Sequence, residues 1–183
     1  MELEEVIQAR RSIRKFLARE VDAEKTERLL ECARLCQSAK NRQPWKFMIL
    51  KQQDKDRVAD IMLARFGQSQ SETMGYQDSS KHSAQVIKQA PLLMLVFMEK
   101  EEGWLMSDLL SVGAAIEHIC LEAVNLGLGA LWIRDTVYTE DAICKAVGYE
   151  NLRLASAIAV GYAAESPAQR PRKTMEDIVI AQR

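Results

Sequence analysis

The chain has 183 residues, of which 48% are hydrophobic and 28% are charged, and its formal net charge at pH 7 is −1. This length and composition predict one globular domain, residues 1–183, large enough to bury a hydrophobic core. The near-zero net charge argues against a general nucleic-acid-binding protein, which usually has a large basic excess. No segment is typical of a signal peptide or of a membrane span, so we expect a cytoplasmic protein without a membrane partner.

The cysteines and histidines do not form a metal-binding set. Cys32 and Cys36 have the i, i+4 spacing of one helical face, but no histidine completes a group of four ligands. His82 and His118 are isolated in the sequence. We therefore expect buried, reduced thiols rather than a zinc site.

The densest local charge follows the first predicted helix, Leu3 to Ala9. The segment Arg10-Arg11-Ser12-Ile13-Arg14-Lys15-Phe16 places four cations and a hydroxyl within seven positions. Guanidinium groups bind phosphate oxygens with paired hydrogen bonds, and the serine hydroxyl is a further donor. The segment is therefore a candidate site for a compact dianion such as a terminal phosphate. A solvated basic turn after a helix is the simpler explanation of the composition alone.

Hydrophobic periodicity predicts alternating helices and strands along the rest of the chain. The further predicted helices run from Asp22 to about Ser38, from Asp54 to Gly67, over a short stretch before Pro91, from Ser107 or Asp108 to Leu126, and from Thr139 to Val147. The predicted strands are Trp45 to Leu50, Leu92 to Phe97, Gly129 to Ile133 and Leu152 to Val160, and Ile178 to Ile180 could add another. Because helices separate the strands, we expect a central mixed β-sheet flanked by helices on both faces.

Two segments differ from this alternation. Gln68 to Ser80 is rich in Ser, Gln and Gly and lacks periodicity, which is typical of a surface loop or a mobile cover. The helix that ends near Leu126 is apolar on more than one face, so it must lie at the centre of the domain or contact a partner subunit. The small residues Gly113, Ala114 and Ala115 would permit close approach there.

Common catalytic motifs are absent from the sequence. There is no G-x-G-x-x-G after a strand, no Walker-type phosphate loop, no G-x-S-x-G elbow and no H-E-x-x-H. Two isolated histidines also give little support for a Ser-His-Asp or Cys-His arrangement. If the chain is an enzyme, we therefore expect a bound cofactor to perform the chemistry.

Four separated stretches follow one another in an informative order. They are Arg10-Arg11-Ser12-Ile13-Arg14, Ser38-Ala39-Lys40-Asn41-Arg42-Gln43-Pro44-Trp45, Gly113-Ala114-Ala115-Ile116-Glu117 through Gly127-Leu128-Gly129-Ala130, and Arg170-Pro171-Arg172-Lys173. They resemble, respectively, the R-x-S-x-[RK] signature, the S-x-x-N-x-Q-P-W loop, the central helix with its exit, and the C-terminal basic pair of the FMN-dependent nitroreductases. The resemblance implies a nitroreductase-type α+β fold and an obligate homodimer with FMN at its interface, the C-terminal tail extending onto the partner subunit.

The resemblance also implies a set of cofactor-binding residues. They are Arg10, Arg11, Ser12, Arg14, Ser38, Ala39, Asn41, Leu131, Trp132, Ile133, Arg134, Arg170 and Arg172. By this resemblance Arg10, Ser12, Arg170 and Arg172 would hold the FMN phosphate, and Arg11 would contribute mainly through its backbone.

The remaining implied residues would surround the flavin ring. By the resemblance Arg14 would lie near the N1/O2 edge and favour the reduced anion, while Ser38, Ala39 and Asn41 would come from the loop of the other subunit. Leu131 to Arg134 would pass under the ring with backbone contacts near N5. The sequence has Arg134-Asp135 where some longer relatives have Glu-Gly, and Gln37 where the family often has proline. The contacts near N5 are therefore left open.

The activity that the resemblance implies is reduction of nitroaromatic, quinone or similar acceptors by NADH or NADPH, in ping-pong order. No side chain is expected to be catalytic, because the flavin performs the chemistry. The alternatives are reductive dehalogenation or flavin destruction on the same fold, and a flavin-binding protein without turnover. A nucleic-acid role for the basic cluster has the least support. The sequence leaves open the natural acceptor, the preferred nicotinamide and whether Gln68 to Ser80 is a lid.

Overall fold

The computed structural model describes residues 1–68 and 74–181, with only the backbone described for residues 66–68 and 74–77. In chain order the elements are α1 (Leu3–Ala9), α2 (Ala23–Arg34), β1 (Lys46–Leu50), α3 (Gln52–Gln68), α4 (Met74–Gln89), β2 (Leu92–Glu99), α5 (Leu105–Asn125), β3 (Gly129–Ile133), α6 (Glu140–Val147), β4 (Leu152–Gly161) and α7 (Met175–Ile178). Short 3₁₀ turns lie at Ala39–Asn41, Glu102–Trp104 and Asp135–Thr139. The expected α+β class is confirmed.

The sheet has the strand order β1-β2-β4-β3, and its three strand pairings are antiparallel. The expectation of a mixed sheet is therefore wrong for the described strands. β2 and β3 run in the same direction, because both pair antiparallel with β4. The helix α5 connects them along the chain. However, β4 lies between them and keeps them from pairing. The one parallel contact described is an isolated bridge between Ser12 and Ala130.

Two hydrophobic cores lie on the two faces of the sheet, as expected for helices on both sides. Leu93 and Leu95 of β2 pack with residues of α3, α4 and α6, whereas Met94 and Val96 pack with α2 and α5. Because successive residues of a strand face opposite sides, β2 is buried on both faces. This arrangement explains why its sequence is apolar without alternation.

Several predicted boundaries need correction. α5 begins at Leu105 rather than at Ser107 or Asp108, because Asp108 is buried and paired with Arg42 instead of capping the helix. α2 ends at Arg34 rather than near Ser38.

The predicted loop Gln68 to Ser80 is also largely wrong in the described part. Residues 74–80 belong to the helix α4, and residues 69–73 lie outside the described residues. The short helix predicted before Pro91 is thus the end of a 16-residue helix. The extra strand predicted at Ile178 to Ile180 is wrong as well, because Ile178 ends the single-turn helix α7 and the residues after it are exposed.

The apolar helix α5 packs into the core on one side and exposes apolar side chains on another. Among the described residues it is the one helix, counted with its preceding turn as Glu102–Asn125, that is long and apolar enough to cross a membrane by length and composition. Val112, Ile116 and Ile119 are buried against α2 and the sheet, as in the core helix of a globular domain. On another part of its surface, Met106 and Leu110 are 72% and 69% exposed.

The N-terminal segment that follows α1 is held between β3 and the chain that leaves β4. The backbone N–H of Ile13 donates to the Ala130 carbonyl over 3.0 Å, and that of Leu17 donates to the Tyr162 carbonyl over 2.8 Å. Ala164 N–H in turn donates to the Lys15 carbonyl over 2.9 Å. These bonds fix residues 10–14 beside the chain that leads to the C-terminus.

The close approach of Ile13 to β3 requires a glycine at position 129. A Cβ atom at Gly129 would lie 2.6 Å from Ile13 Cγ1 and 2.9 Å from Ile13 Cβ, so the N-terminal segment would have to shift. We expect Gly129→Ala to lower the free energy of unfolding by about 1–3 kcal/mol, which urea denaturation measures. Gly103→Ala is the control, because a Cβ at Gly103 meets no heavy atom within 4 Å. A loss no greater than that of the control would contradict this packing.

Candidate functional site

The two ends of the chain meet in a cavity of about 280 Å³, here called the arginine cleft. Its lining residues are Arg10, Arg11, Ser12, Arg14, Pro167, Ala168, Gln169, Arg170 and Arg172. Five of these residues are arginines, and none of them is acidic. The structure therefore brings together the arginines that sequence analysis assigned to a phosphate, although they are about 160 positions apart.

A carboxylate links the two halves of this cleft. Glu165 Oε1 accepts a hydrogen bond from the backbone N–H of Arg14 over 2.6 Å and another from that of Lys15 over 3.2 Å. Glu165 directly precedes residues 166–172, which carry the C-terminal lining residues. The backbone pairing around Phe16 and Ala163 brings the two strands of chain to this point.

The N-terminal arginines are oriented by contacts of their own. Arg10 Nε lies 3.3 Å from a carboxylate oxygen of Glu117 on α5. Arg11 Nη1 donates to the carbonyls of Gln8 and Arg10 over 2.6 and 2.8 Å, so this guanidinium braces the end of α1. The expectation that Arg11 contributes to cofactor binding mainly through its backbone stays a prediction.

A second cavity of about 360 Å³, the loop cleft, lies between the segment after α2 and the start of α5. Its lining residues are Gln37, Ser38, Ala39, Ser107, Leu110, Ser111 and Ala114. It contains two of the three loop residues that sequence analysis assigned to the cofactor, and Asn41 is exposed nearby in sequence. Within one chain these residues line a different cavity from the arginine cleft.

The loop beside this second cavity has an unusual backbone. Lys40, Asn41 and Gln43 have φ angles of 51°, 55° and 49°, in the left-handed region that side chains other than glycine seldom adopt. Such conformations persist only where surrounding contacts hold them, and they cluster at functional sites. Here Gln43 N–H donates to Ser38 Oγ over 2.9 Å, and Ala39 N–H donates to Ser111 Oγ over 3.3 Å.

Arg42 anchors the same loop to α5. Its guanidinium donates to both carboxylate oxygens of the buried Asp108, over 3.1 and 3.2 Å, and to Glu101 over 2.9 Å. It also lies 4.3 Å from the centre of the Trp104 ring. The hydrogen bonds that Arg42 donates to Asp108 raise the pKa of its guanidinium, which therefore stays charged. This anchor attaches the loop that contains the left-handed residues to α5.

The predicted residues of β3 lie apart from the lining of both clefts. Leu131 and Ile133 are buried in the core formed with α3, α4 and α6, so only their backbone could reach a ligand. Trp132 is 44% exposed, and its Nε1 donates to Ser156 Oγ over 2.8 Å. Arg134 is exposed and donates to the Tyr138 hydroxyl over 3.1 Å. β3 is the edge strand of the sheet, which leaves its outer side accessible beyond Ala130.

The cysteines take no part in either cleft. All four are free, and Cys36, Cys120 and Cys144 are buried. Burial raises the pKa of the Cys120 thiol to about 12, so it is neutral at physiological pH and is not a nucleophile. Among the described residues, no group of three His, Cys, Asp or Glu side chains is arranged to hold a metal ion.

Sequence reasoning missed the carboxylates that support the arginines. Glu117 was seen only as part of the central-helix motif, and Glu165 had no motif at all. The basic residues Arg170 and Arg172 could be recognised in the sequence because like charges are concentrated there. The single acidic residue Glu165, five positions earlier, does not stand out in this way. The partnership of Asp108 with Arg42 was also missed, because the two residues are 66 positions apart.

Known proteins are similar to this chain in sequence and in fold. The family described as the Nitroreductase family matches residues 7–162. A Methanothermobacter thermautotrophicus protein provisionally named NADH dehydrogenase/NAD(P)H nitroreductase is 30% identical over 180 residues, covering 93% of this chain and 82% of that protein. The 5,6-dimethylbenzimidazole synthase of Rhodospirillum rubrum is 27% identical over 146 residues, covering 72% of this chain and 68% of that protein.

The fold is also that of a solved structure. The FMN and NADPH-dependent nitroreductase NfnB of a Sphingopyxis strain superposes with a TM-score of 0.86 at 18% identity, covering 100% of this chain and 99% of that one. The family match spans most of the chain, from the N-terminal arginine segment to the end of β4. The chain therefore belongs to the nitroreductase family.

Proposed function

We propose that the protein is a cytoplasmic FMN-dependent NAD(P)H oxidoreductase that reduces nitroaromatic, quinone or similar acceptors. The observation that carries the proposal is the arginine cleft, in which cations from both ends of the chain line one cavity. Family membership supports the same conclusion.

The residues of the arginine cleft fit the phosphate group of FMN. Its lining contains five arginines, among them Arg10, Arg170 and Arg172, together with the exposed Ser12 and no acidic residue. A phosphate monoester near neutral pH carries close to two negative charges, and hydrogen bonds between charged groups contribute roughly 1.5–3 kcal/mol each. The cleft therefore offers the charge and the donors that such a dianion needs.

The other predicted residues would serve the flavin ring. When bound, FMN supplies the two-electron redox chemistry that takes hydride from NAD(P)H and passes it to the acceptor, in ping-pong order. Arg14 is proposed to provide a fixed cation beside N1 and O2, where reduction develops negative charge. The backbone of Leu131 to Arg134, on the accessible edge of β3, is proposed to contact the ring. The side chains thus bind and orient, and none is proposed as acid, base or nucleophile.

Replacing the phosphate-binding arginines tests the proposal. We expect Arg10→Ala or Arg172→Ala to give protein that is purified colourless, because each change removes a guanidinium from the cleft. The measurement is the visible spectrum, followed by an FMN titration. Arg14→Ala is the matched comparison: it removes the same charge from the same cleft, but it should retain FMN and lower its reduction potential. Unchanged FMN occupancy in Arg10→Ala and Arg172→Ala would contradict the assignment.

A homodimer would bring the loop cleft of one chain next to the arginine cleft of the other. Met106 and Leu110 of α5 are largely exposed, and Leu110 lines the loop cleft of the same chain. The apolar side chains of Met175, Ile178 and Ile180 are exposed in the C-terminal tail. We propose that the α5 surfaces of two chains pack together, that each tail extends onto the partner, and that Ser38, Ala39 and Asn41 complete the site of the other chain.

The dimer is tested by a charge on this surface. We expect wild-type protein to sediment as a dimer and Leu110→Glu to sediment as a monomer, because a carboxylate would be buried without a partner. If the site is shared, the monomeric variant should also bind FMN more weakly. Wild-type protein that carries flavin and sediments as a monomer would refute the shared site.

Flavin destruction remains a second candidate, because one relative is a 5,6-dimethylbenzimidazole synthase. The dimethylbenzene ring of that product is also part of the flavin ring, so a flavin is a chemically reasonable source of it. Incubation with NAD(P)H in air separates the possibilities. An oxidoreductase bleaches and regains its yellow colour through many turnovers, whereas flavin destruction loses the colour and releases a benzimidazole detectable by mass spectrometry. Colour that persists with both donors indicates a binding protein without turnover.

A further inference from the structure

The contacts of Glu165 give it a distinctive position at the arginine cleft. One carboxylate oxygen accepts hydrogen bonds from two consecutive backbone N–H groups, those of Arg14 and Lys15. Arg14 lines the N-terminal half of the cleft and Lys15 follows it directly, whereas Glu165 lies just before the segment that carries the C-terminal lining residues. The side chain thus spans the boundary between the two halves.

The segment that follows Glu165 has few other attachments. Of the described residues, 166–172 take part in no hydrogen bond or ion pair, and they form neither helix nor strand. The next such contacts along the chain are those of Thr174 with Asp177 in the cap of α7. Arg170 and Arg172 therefore lie on an exposed arm, defined here as residues 166–172, whose last described polar attachment is Glu165.

We propose that Glu165 is a positioning residue that fastens this arm to the N-terminal arginine segment and so sets the affinity for the phosphate of FMN. The inference rests on the proposed function. A carboxylate suits the task because charge-assisted hydrogen bonds to backbone N–H groups are stronger than neutral ones. Its negative charge also reduces the repulsion among the guanidiniums that it helps to bring together.

The first measurement compares FMN with riboflavin, which has the same ring but no phosphate. We expect Glu165→Ala to weaken FMN binding about 10- to 100-fold and riboflavin binding much less, because the arm is proposed to contact only the phosphate. Glu165→Gln, which keeps an oxygen acceptor but loses the charge, should restore part of the FMN affinity. Glu102→Ala is the matched control: it removes an equal charge, that of a carboxylate paired with Arg153 and 76% exposed, outside the cleft lining.

The second measurement detects the arm itself and requires no activity. Trypsin cleaves after Arg172 and Lys173, whereas Pro171 protects the bond after Arg170. We expect Glu165→Ala to be cleaved faster at these two positions than wild type, and FMN to slow cleavage of wild type much more than that of the variant. Mass spectrometry identifies the released C-terminal peptide.

A double-mutant comparison separates positioning from general stability. In an Arg170→Ala/Arg172→Ala background the arm no longer binds phosphate, so Glu165→Ala should cause little further loss of FMN affinity. Equal weakening of FMN and riboflavin, or the same loss in both backgrounds, would show a structural role only and overturn the inference.

The proposed function and this inference fail in distinguishable ways. Wild-type protein that binds no FMN would refute both. Wild-type protein whose FMN affinity depends on Arg172 but not on Glu165 would refute the inference alone.

Discussion

The backbone hydrogen bonds of residues 12–17 are the constraint on which the site depends. They join this segment to Ala130 at the edge of the sheet and to the chain that leaves β4 at Tyr162. The approach is possible because Gly129 and Gly161 leave no side chain in the way: a Cβ atom at Gly129 would lie 2.6 Å from Ile13 Cγ1, and one at Gly161 would lie 3.0 Å from Phe16 Cδ1. Main-chain packing therefore forms the arginine cleft and positions its charged residues.

Charge concentrated in this way must be balanced. Five arginines line one cavity, and the carboxylates of Glu117 and Glu165 contact two of them, Arg10 and Arg14, from outside the lining. Glu117 pairs with one arginine side chain, whereas Glu165 holds the backbone of the N-terminal segment. Neither occupies the cavity, so the positive field inside remains available to an anionic group. The acidic residues thus support the arginines from outside, and the cavity itself stays basic. This arrangement is the electrostatic basis of the proposed phosphate site.

Local patterns predicted the elements well and their long-range partners poorly. Short apolar runs located β3 at Gly129–Ile133 and the buried strand β2, because the burial of a strand is visible in consecutive residues. Local patterns missed the antiparallel sheet, since nothing in the sequence shows that β4 enters between β2 and β3. They also assigned Asp108 to a helix cap, because its partner Arg42 is distant in sequence. The convergence of the chain ends came from the family resemblance, and the supporting role of Glu165 had no signal at all.

The separation between the two halves of the arginine cleft has a consequence for biosynthesis. The bond from Arg14 N–H to Glu165 spans 151 positions, and the last arginine of the lining is residue 172 of 183. A nascent chain on the ribosome can form its N-terminal helices early, but it cannot assemble this pocket before Arg172 has emerged. An anion that needs both halves of the lining could therefore be bound only after that point in synthesis, and a chain that stops before Arg170 lacks the C-terminal arginines of the pocket.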